Sequence, residues 1–174
     1  MQIKVVDSLD VLNSLKDSWN NLFLRSGQRL FMHHTWVYHN YKCFNPSNIL
    51  LLAVYAECHE LIGVFPFTIK NFKIKGLSYK VLTHSCSSLT DLSTFVIDPS
   101  ANRRLMINRI INKLTELQPS SWDFYKLDNL SDGDPVASLF RNLLLKILYA
   151  GEIVTEITPS IDYGHKYEEA KKIS

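Results

Sequence analysis

The sequence predicts an α/β domain with a mixed central sheet and helices on both faces. The first observation behind this is Ile49–Lys70, ILLLAVYAECHELIGVFPFTIK, where two β-rich runs, Ile49–Ala56 and Leu61–Phe67, flank the polar turn Glu57-Cys58-His59-Glu60. Two such runs joined by a few polar residues read as a hairpin. The second is that the first run is apolar on both faces, which places it inside a sheet covered on both sides. The third is the order of elements around it, β-α-α-β-β-β-β-α-β-α-β. Hairpin strands come first and strand–helix–strand–helix–strand follows, so antiparallel and parallel pairing are mixed.

Ile3–Val6 opens the chain as a short strand. Ser8 can cap the next helix, because its hydroxyl can accept from a free N–H of the first turn. Leu12, Leu15, Trp19, Leu22 and Phe23 recur at three- and four-residue spacing, one face of a helix, and Gly27 is a natural stop. A second, aromatic-rich helix is expected over Phe31–Phe44, ended by Asn45-Pro46-Ser47-Asn48. Pro66 falls inside the second hairpin strand. Proline cannot donate to the ladder, so that strand must be bulged or partly at an edge there. Asn71–Lys75 is polar and basic, and Gly76 marks a turn. Ser78–Thr83 and Leu92–Ile97 are two further strands separated by the loop His84–Asp91. Asp98-Pro99-Ser100 precedes a helix over roughly Asn102–Leu117 with Met106, Ile110, Leu114 and Leu117 as its apolar stripe. Trp122–Leu127 is another strand, expected to run parallel to Leu92–Ile97 through a right-handed crossover. Pro135 opens a helix where its missing N–H costs nothing. Val136, Leu139, Phe140, Leu143, Leu144 and Ile147 form its core face, and Gly151 ends it. Ile153–Ile157 is a last strand. Residues 1–162 read as one domain, and 163–174 as the start of a helix or linker.

A chain of 174 residues suits one domain with one sizeable core. Its hydrophobic fraction of 46% and charged fraction of 21% are those of an ordinary globular protein. The net charge of +2 gives no global attraction to nucleic acid or to an anionic membrane, so neither is expected as a partner. Cys43, Cys58 and Cys86 are odd in number and far apart, and without a CxxC they signal neither a redox motif nor a zinc site. Reduced thiols in a cytosol follow. MQIKVVDSLD has no apolar signal core. The run Ile49–Ala56 is far short of the roughly 20 residues that span a bilayer. These readings place the protein in the cytoplasm.

The element order matches the GNAT acyltransferase fold, and the local sequence resembles one branch of it. The stretches LFMHHTWVYHNY, LIGVFPFTI, LTDLSTFVID and WDFYKLDNL, in this order, resemble the N-terminal half of CelD/BcsL-type GNAT-like proteins. In that family an aromatic helix (Phe31 and Trp36 here) precedes a vGi-P-l strand (Ile62, Gly63, Val64, Pro66 and Phe67). An aspartate-containing loop (Asp91) and a W-d-x-l-x-L strand (Trp122, Asp123 and Leu127) follow. The resemblance covers nearly the whole chain. It implies the N-terminal lobe of an acyl-CoA-dependent N-acyltransferase associated with polysaccharide or envelope biosynthesis. It also implies acetyl-CoA or another acyl-CoA in the complete protein, a small-molecule amine acceptor, and a second GNAT-like lobe or a homodimer. An ordinary GNAT site holds the CoA pyrophosphate on Q/R-x-x-G-x-G/A between a strand and a helix. There the glycines let backbone N–H groups approach the anion at the helix N-terminus. The corresponding stretch here is Asp98–Ile107. Asn102 stands near the Q/R position, side chains fill both glycine positions, and Arg103 and Arg104 are left to meet a phosphate as charges. The expectation is therefore that the second lobe holds the acyl-CoA and this one supplies scaffold and part of the acceptor cleft. The alternative is a non-catalytic binding or dimerisation module on a decayed GNAT fold.

Individual residues carry two readings each. Asp91 suits a base or a contact to a substrate hydroxyl, and equally a turn or cap. His84 and Cys86 would share a strand face as a Cys/His nucleophile pair, but no oxyanion-hole motif or third partner accompanies them. His33, His34 and His39 lack the i, i+4 spacing of a helical metal site and suit helix packing. Lys70, Lys73, Lys75 and Lys80 surround Gly76 and suit a phosphate, an acidic partner or a solvated turn. Trp36, Tyr38, Tyr41 and Phe44 suit a substrate groove or helix packing; Trp36 is the candidate substrate contact. The helix after Pro135 carries only Tyr149, at its far end, so no proton donor to a leaving thiolate is assigned.

Overall fold

The computed structural model describes residues 1–28, 30–44, 48–85, 94–126 and 134–147. β1 (Gln2–Val6) leads into α1 (Leu9–Ser14), α2 (Lys16–Ser26), a 3-10 turn (Leu30–Met32) and α3 (His34–Phe44). The hairpin follows as β2 (Ile49–Tyr55) and β3 (Leu61–Ile74). Then come β4 (Leu77–His84), β5 (Val96–Ile97), α4 (Arg103–Ser121), β6 (Phe124–Lys126) and α5 (Pro135–Ile147). The strands lie in the order β1-β2-β3-β4-β6, with β5 added to β3. β1 to β4 pair antiparallel and β6 joins β4 in parallel, which makes the mixed sheet that the sequence predicts. Gly151, Ile153–Ile157 and residues 163–174 lie outside the described residues.

Alternation along β2 creates two cores. Leu50, Leu52 and Val54 point to the α4/α5 side, where they meet Phe65, Phe67, Ile107 and Phe140. Leu51 and Ala53 point to the α1–α3 side, where they meet Leu12, Trp19, Leu22 and Tyr41. Successive strand side chains face opposite ways, so a run apolar at every position stays dry only between two helical layers. Two buried polar tips fasten the second layer. Trp19 Nε1 donates to the Met32 carbonyl at 2.9 Å, and Tyr41 Oη donates to the Phe67 carbonyl at 2.6 Å.

Several boundaries differ from the sequence reading. The expected single helix through Leu12 and Phe23 is two helices that meet at Leu15, which ends α1 and begins α2. The serine hydroxyls of Ser14 and Ser18 bond back to the carbonyls of Val11 and Leu15, a competition that weakens a continuous helix. The apolar spacing survives the break: Leu12, Leu15, Trp19 and Leu22 are all buried. Residues 31–44 begin as the 3-10 turn, and α3 starts only after His33, whose Nδ1 accepts from the Thr35 N–H at 3.3 Å. The strand expected over Leu92–Ile97 is reduced to Val96–Ile97, with 86–93 outside the described residues. The parallel partner of β6 is β4, not that strand. The helix expected over Asn102–Leu117 runs on to Ser121, with Asn102 outside it as the cap and Ile107 and Ile111 added to its buried stripe.

Pro66 is accommodated as an edge. Even-numbered residues of β3 turn their polar groups towards β4 and β5: the Pro66 carbonyl accepts from Ser85 N, and the Ile62 carbonyl from Asp98 N. β4 pairs with β3 up to Phe67–His84, and β5 resumes the same edge at Val64–Val96. Pro66 thus stands opposite Ser85, one residue past the end of β4, so its absent N–H falls at the end of the β3–β4 ladder rather than inside it. The bulge in this hairpin lies elsewhere, at Val54/Tyr55.

Gly63 sets the distance between β3 and α4. A Cβ placed there would lie 2.6 Å from Met106 Sδ and 3.3 Å from both Phe65 and Val54. Gly63→Ala is expected to lower stability by about 1–3 kcal/mol through overpacking. In a Met106→Ala background the same change should cost less than half as much. Urea unfolding of the four variants in this cycle measures both.

Candidate functional site

The turn between β5 and α4 is where a GNAT fold would seat an anion, and here it is filled from within. Asp98, 8% exposed, follows β5 directly. Its Oδ1 accepts from Ser100 N at 3.0 Å and from Ser100 Oγ at 2.7 Å. Its Oδ2 accepts from Arg25 Nε at 3.0 Å, and Arg25 Nη2 reaches Glu60 Oε1 at 2.8 Å. The Ser100 hydroxyl, then the Ser100 amide and the Arg25 guanidinium, hold the Asp98 carboxyl below its ordinary range. Three further donors of the turn are taken, while the amides of Asn102, Arg103 and Arg104 bond to no described residue. Ala101 N bonds to the Asp98 carbonyl, Leu105 N to Asn102 Oδ1 and Met106 N to the Asn102 carbonyl.

This turn departs from the glycine-rich loop that a GNAT pyrophosphate site uses. Asn102, expected near the Q/R position, spends its side chain as the N-cap of α4. Leu105 and Ile107, at the two glycine positions, lie in the first turns of the helix, and Ile107 is fully buried in the core. Side chains at both glycine positions restrict the close backbone approach that such a cradle uses, and the Asp98 carboxylate places a negative charge beside it. Arg103 and Arg104 are exposed and make no ion pair with a described residue. Arg25, the cation of the turn, already bridges two carboxylates.

The other sequence candidates do not converge on this turn. Trp36 lies on α3, on the opposite side of the sheet from α4, 36% exposed and edge-on to Phe31. Its neighbours divide: Tyr41 is fully buried, Tyr38 packs against the core, and Phe44 is exposed, so the four rings do not line one groove. His84 is buried against Phe67 and Phe95 with ring centroids 5.5 and 4.7 Å away. Asp91, Cys86 and Tyr149 lie outside the described residues. His34 is buried with Nε2 3.0 Å from the Leu12 carbonyl, and burial lowers its pKa. Among the described residues no group of His, Cys, Asp and Glu is arranged to hold a metal ion.

Arg25, Glu60 and Asp98 escaped the sequence reading as a set. Asp98-Pro99-Ser100 carries a local signal, since an Asp side chain commonly bonds the amide two residues on. Arg25 and Glu60 carry none, because only the fold brings α2, the β2–β3 turn and the β5–α4 turn together. On the α4/α5 side, Tyr125 Oη and Trp122 Nε1 are buried without a hydrogen-bond partner among the described residues. Burial raises the Tyr125 pKa well above the usual phenol value, so this side chain keeps its proton.

No family profile and no curated protein matches the chain. Solved structures do. A ribosomal-protein-alanine N-acetyltransferase from Brucella melitensis biovar Abortus is 13% identical with a TM-score of 0.57, covering 91% of this chain and 98% of the other. A GNAT family acetyltransferase from Staphylococcus aureus is 13% identical with a TM-score of 0.54, covering 92% and 98%. An aminoglycoside antibiotic 6′-N-acetyltransferase from Acinetobacter baumannii is 14% identical with a TM-score of 0.53, covering 92% and 99%. These likenesses show that the chain has the GNAT acetyltransferase fold.

The Asp98 turn has a pH signature. A carboxyl held low in the folded state contributes stability above its unfolded value near 4 and loses it as pH falls towards the folded value. Asp98→Asn should therefore cost about 1.5–3 kcal/mol at pH 7, the range for hydrogen bonds to a charged group. The gap to the parent protein should shrink as pH drops from about 4 downwards. Denaturant midpoints measured across that range check it; a gap independent of pH contradicts it.

Proposed function

We propose that this chain is the lobe of an acyl-CoA-dependent N-acyltransferase that serves the acceptor side of the reaction. A second GNAT-like lobe holds acetyl-CoA or another acyl-CoA. The observation that carries this reading is the β5–α4 turn, where Asp98 holds the Ser100 amide, Asn102 caps the Leu105 amide, and Leu105 and Ile107 stand at the glycine positions. A GNAT fold with that turn closed supports a task other than binding the donor. The four ordered motifs that resemble CelD/BcsL-type proteins support a setting in polysaccharide or envelope biosynthesis, with a small-molecule amine as acceptor. Asp91 is the candidate base or hydroxyl contact within that cleft, and Trp36 the candidate substrate contact. The cytoplasm is the proposed compartment. Among the described residues no helix is long and apolar enough to cross a membrane.

The same closed turn also supports a second reading, a non-catalytic binding or dimerisation module on this fold. Two measurements on the chain separate the readings. Calorimetric titration with acetyl-CoA is expected to give no binding heat; stoichiometric binding overturns the division of labour between lobes. A thermal-shift panel of small-molecule amines is expected to raise the unfolding midpoint if the chain serves an acceptor, and to leave it unchanged if it is a non-catalytic module.

A further inference from the structure

The net charge of +2 conceals one very uneven element. The pair Ile69–Leu82 still enters the α4/α5-side core. Beyond it, β3 and β4 leave the body as a hairpin arm closed by Lys75-Gly76, both with positive φ, 49° and 85°. Such a turn matches the twist of a two-stranded ribbon. The ladder register gives the arm two unlike faces. One carries Phe72, Leu77 and Tyr79, and Phe124 of β6 extends it with its ring 5.1 Å from that of Tyr79. Phe72, Leu77 and Phe124 are 40%, 61% and 50% exposed. The other face carries Asn71, Lys73, Ser78 and Lys80, and Lys75 stands at the tip. Asn71–Lys80 contains no acidic residue. Asp123 beside it accepts the Lys80 N–H at 2.8 Å. Lys73, Lys75 and Lys80 are exposed and make no ion pair with a described residue.

We propose that this arm docks the protein onto an anionic phospholipid bilayer. Elements that lie in a membrane interface carry lysines on a polar face and Phe or Leu on the other, and the arm has that sidedness in β form. The apolar face enters the acyl boundary. The ammonium groups stay at headgroup depth on their flexible stems, where each gains from the negative surface potential. Single-stranded nucleic acid fits less well, because a stacking platform needs its cations along the groove that holds the bases. Here Lys73 and Lys80 lie on the face opposite the rings, and Lys70 and Lys126, at the base of the apolar face, already have partners. A second copy packed on the apolar face would leave the lysine face without a role. Docking through the arm is independent of acyl transfer and of the amine and acetyl-CoA measurements.

Flotation of the full chain with phosphatidylcholine vesicles, with and without phosphatidylserine, tests this. The protein should float with the anionic vesicles only, and less at higher salt. Phe72→Ser with Leu77→Ser, and separately Lys73→Gln with Lys75→Gln, should each lower the partition coefficient about tenfold or more. Lys73→Arg with Lys75→Arg should retain binding, which separates loss of charge from loss of fold. All these side chains are exposed, and unchanged circular dichroism and thermal midpoints confirm that the variants fold. Three outcomes overturn docking: no flotation with anionic vesicles, equal flotation of the variants, or a serine pair that converts a sedimenting dimer to a monomer. Tighter binding to a single-stranded oligonucleotide than to vesicles, lost in the serine pair, assigns the arm to nucleic acid instead.

Discussion

The fold depends on burying β2 from both sides. A fully buried leucine or isoleucine is worth about 1.5–3 kcal/mol over an exposed one, and β2 presents such side chains alternately to two layers. Neither layer is optional, because removing either would expose half the strand. The α1–α3 layer is then fastened by polar tips, Trp19 to Met32 and Tyr41 to Phe67, that satisfy donors inside the core. The α4/α5 layer is fastened by shape, with the absent side chain of Gly63 letting Met106 approach β3.

Against these terms the ion pairs contribute little. Arg25 is 41% exposed and Glu60 55% exposed in their pair, and such surface pairs are worth about 0–1 kcal/mol. The consequence of the Arg25–Asp98 contact is local. A carboxylate bonded to the Ser100 amide and hydroxyl, together with side chains at both glycine positions, changes the turn at which this architecture would hold a pyrophosphate. The sheet, the crossover and the helix are all in place around that turn, and its chemistry differs. Fold and chemistry separate here at the level of a few side chains.

The arm shows the same separation for electrostatics. A net charge near zero describes the far field of a protein, and the far field governs steering. Contact with a surface is governed by what one element presents within a Debye length of about 8–10 Å. The arm gathers lysines on one face and exposed apolar side chains on the other, and this arrangement vanishes in the sum over the chain.

The fold class was legible in the sequence because its signals are local. Two-sided apolarity of Ile49–Ala56, helical spacing from Leu12 to Leu22, the Pro135 start and the Gly27 stop each depend on residues a few positions apart. The proline constraint at Pro66 was legible too, although its placement at the end of the β3–β4 ladder required the register of a third strand. The site was not legible. Arg25, Glu60 and Asp98 are far apart in sequence, and their meeting depends on how α2 packs against the end of the sheet. The missing glycines at Leu105 and Ile107 and the local Asp98–Ser100 turn carry signals in the sequence, but the guanidinium of Arg25 that reaches the Asp98 carboxylate carries none. Sidedness of the arm was likewise hidden, since Phe72 and Tyr79 become neighbours only once the ladder fixes which residues pair. Local periodicity determines which elements form; long-range register and packing decide which side chains meet, and the chemistry of this protein depends on those meetings.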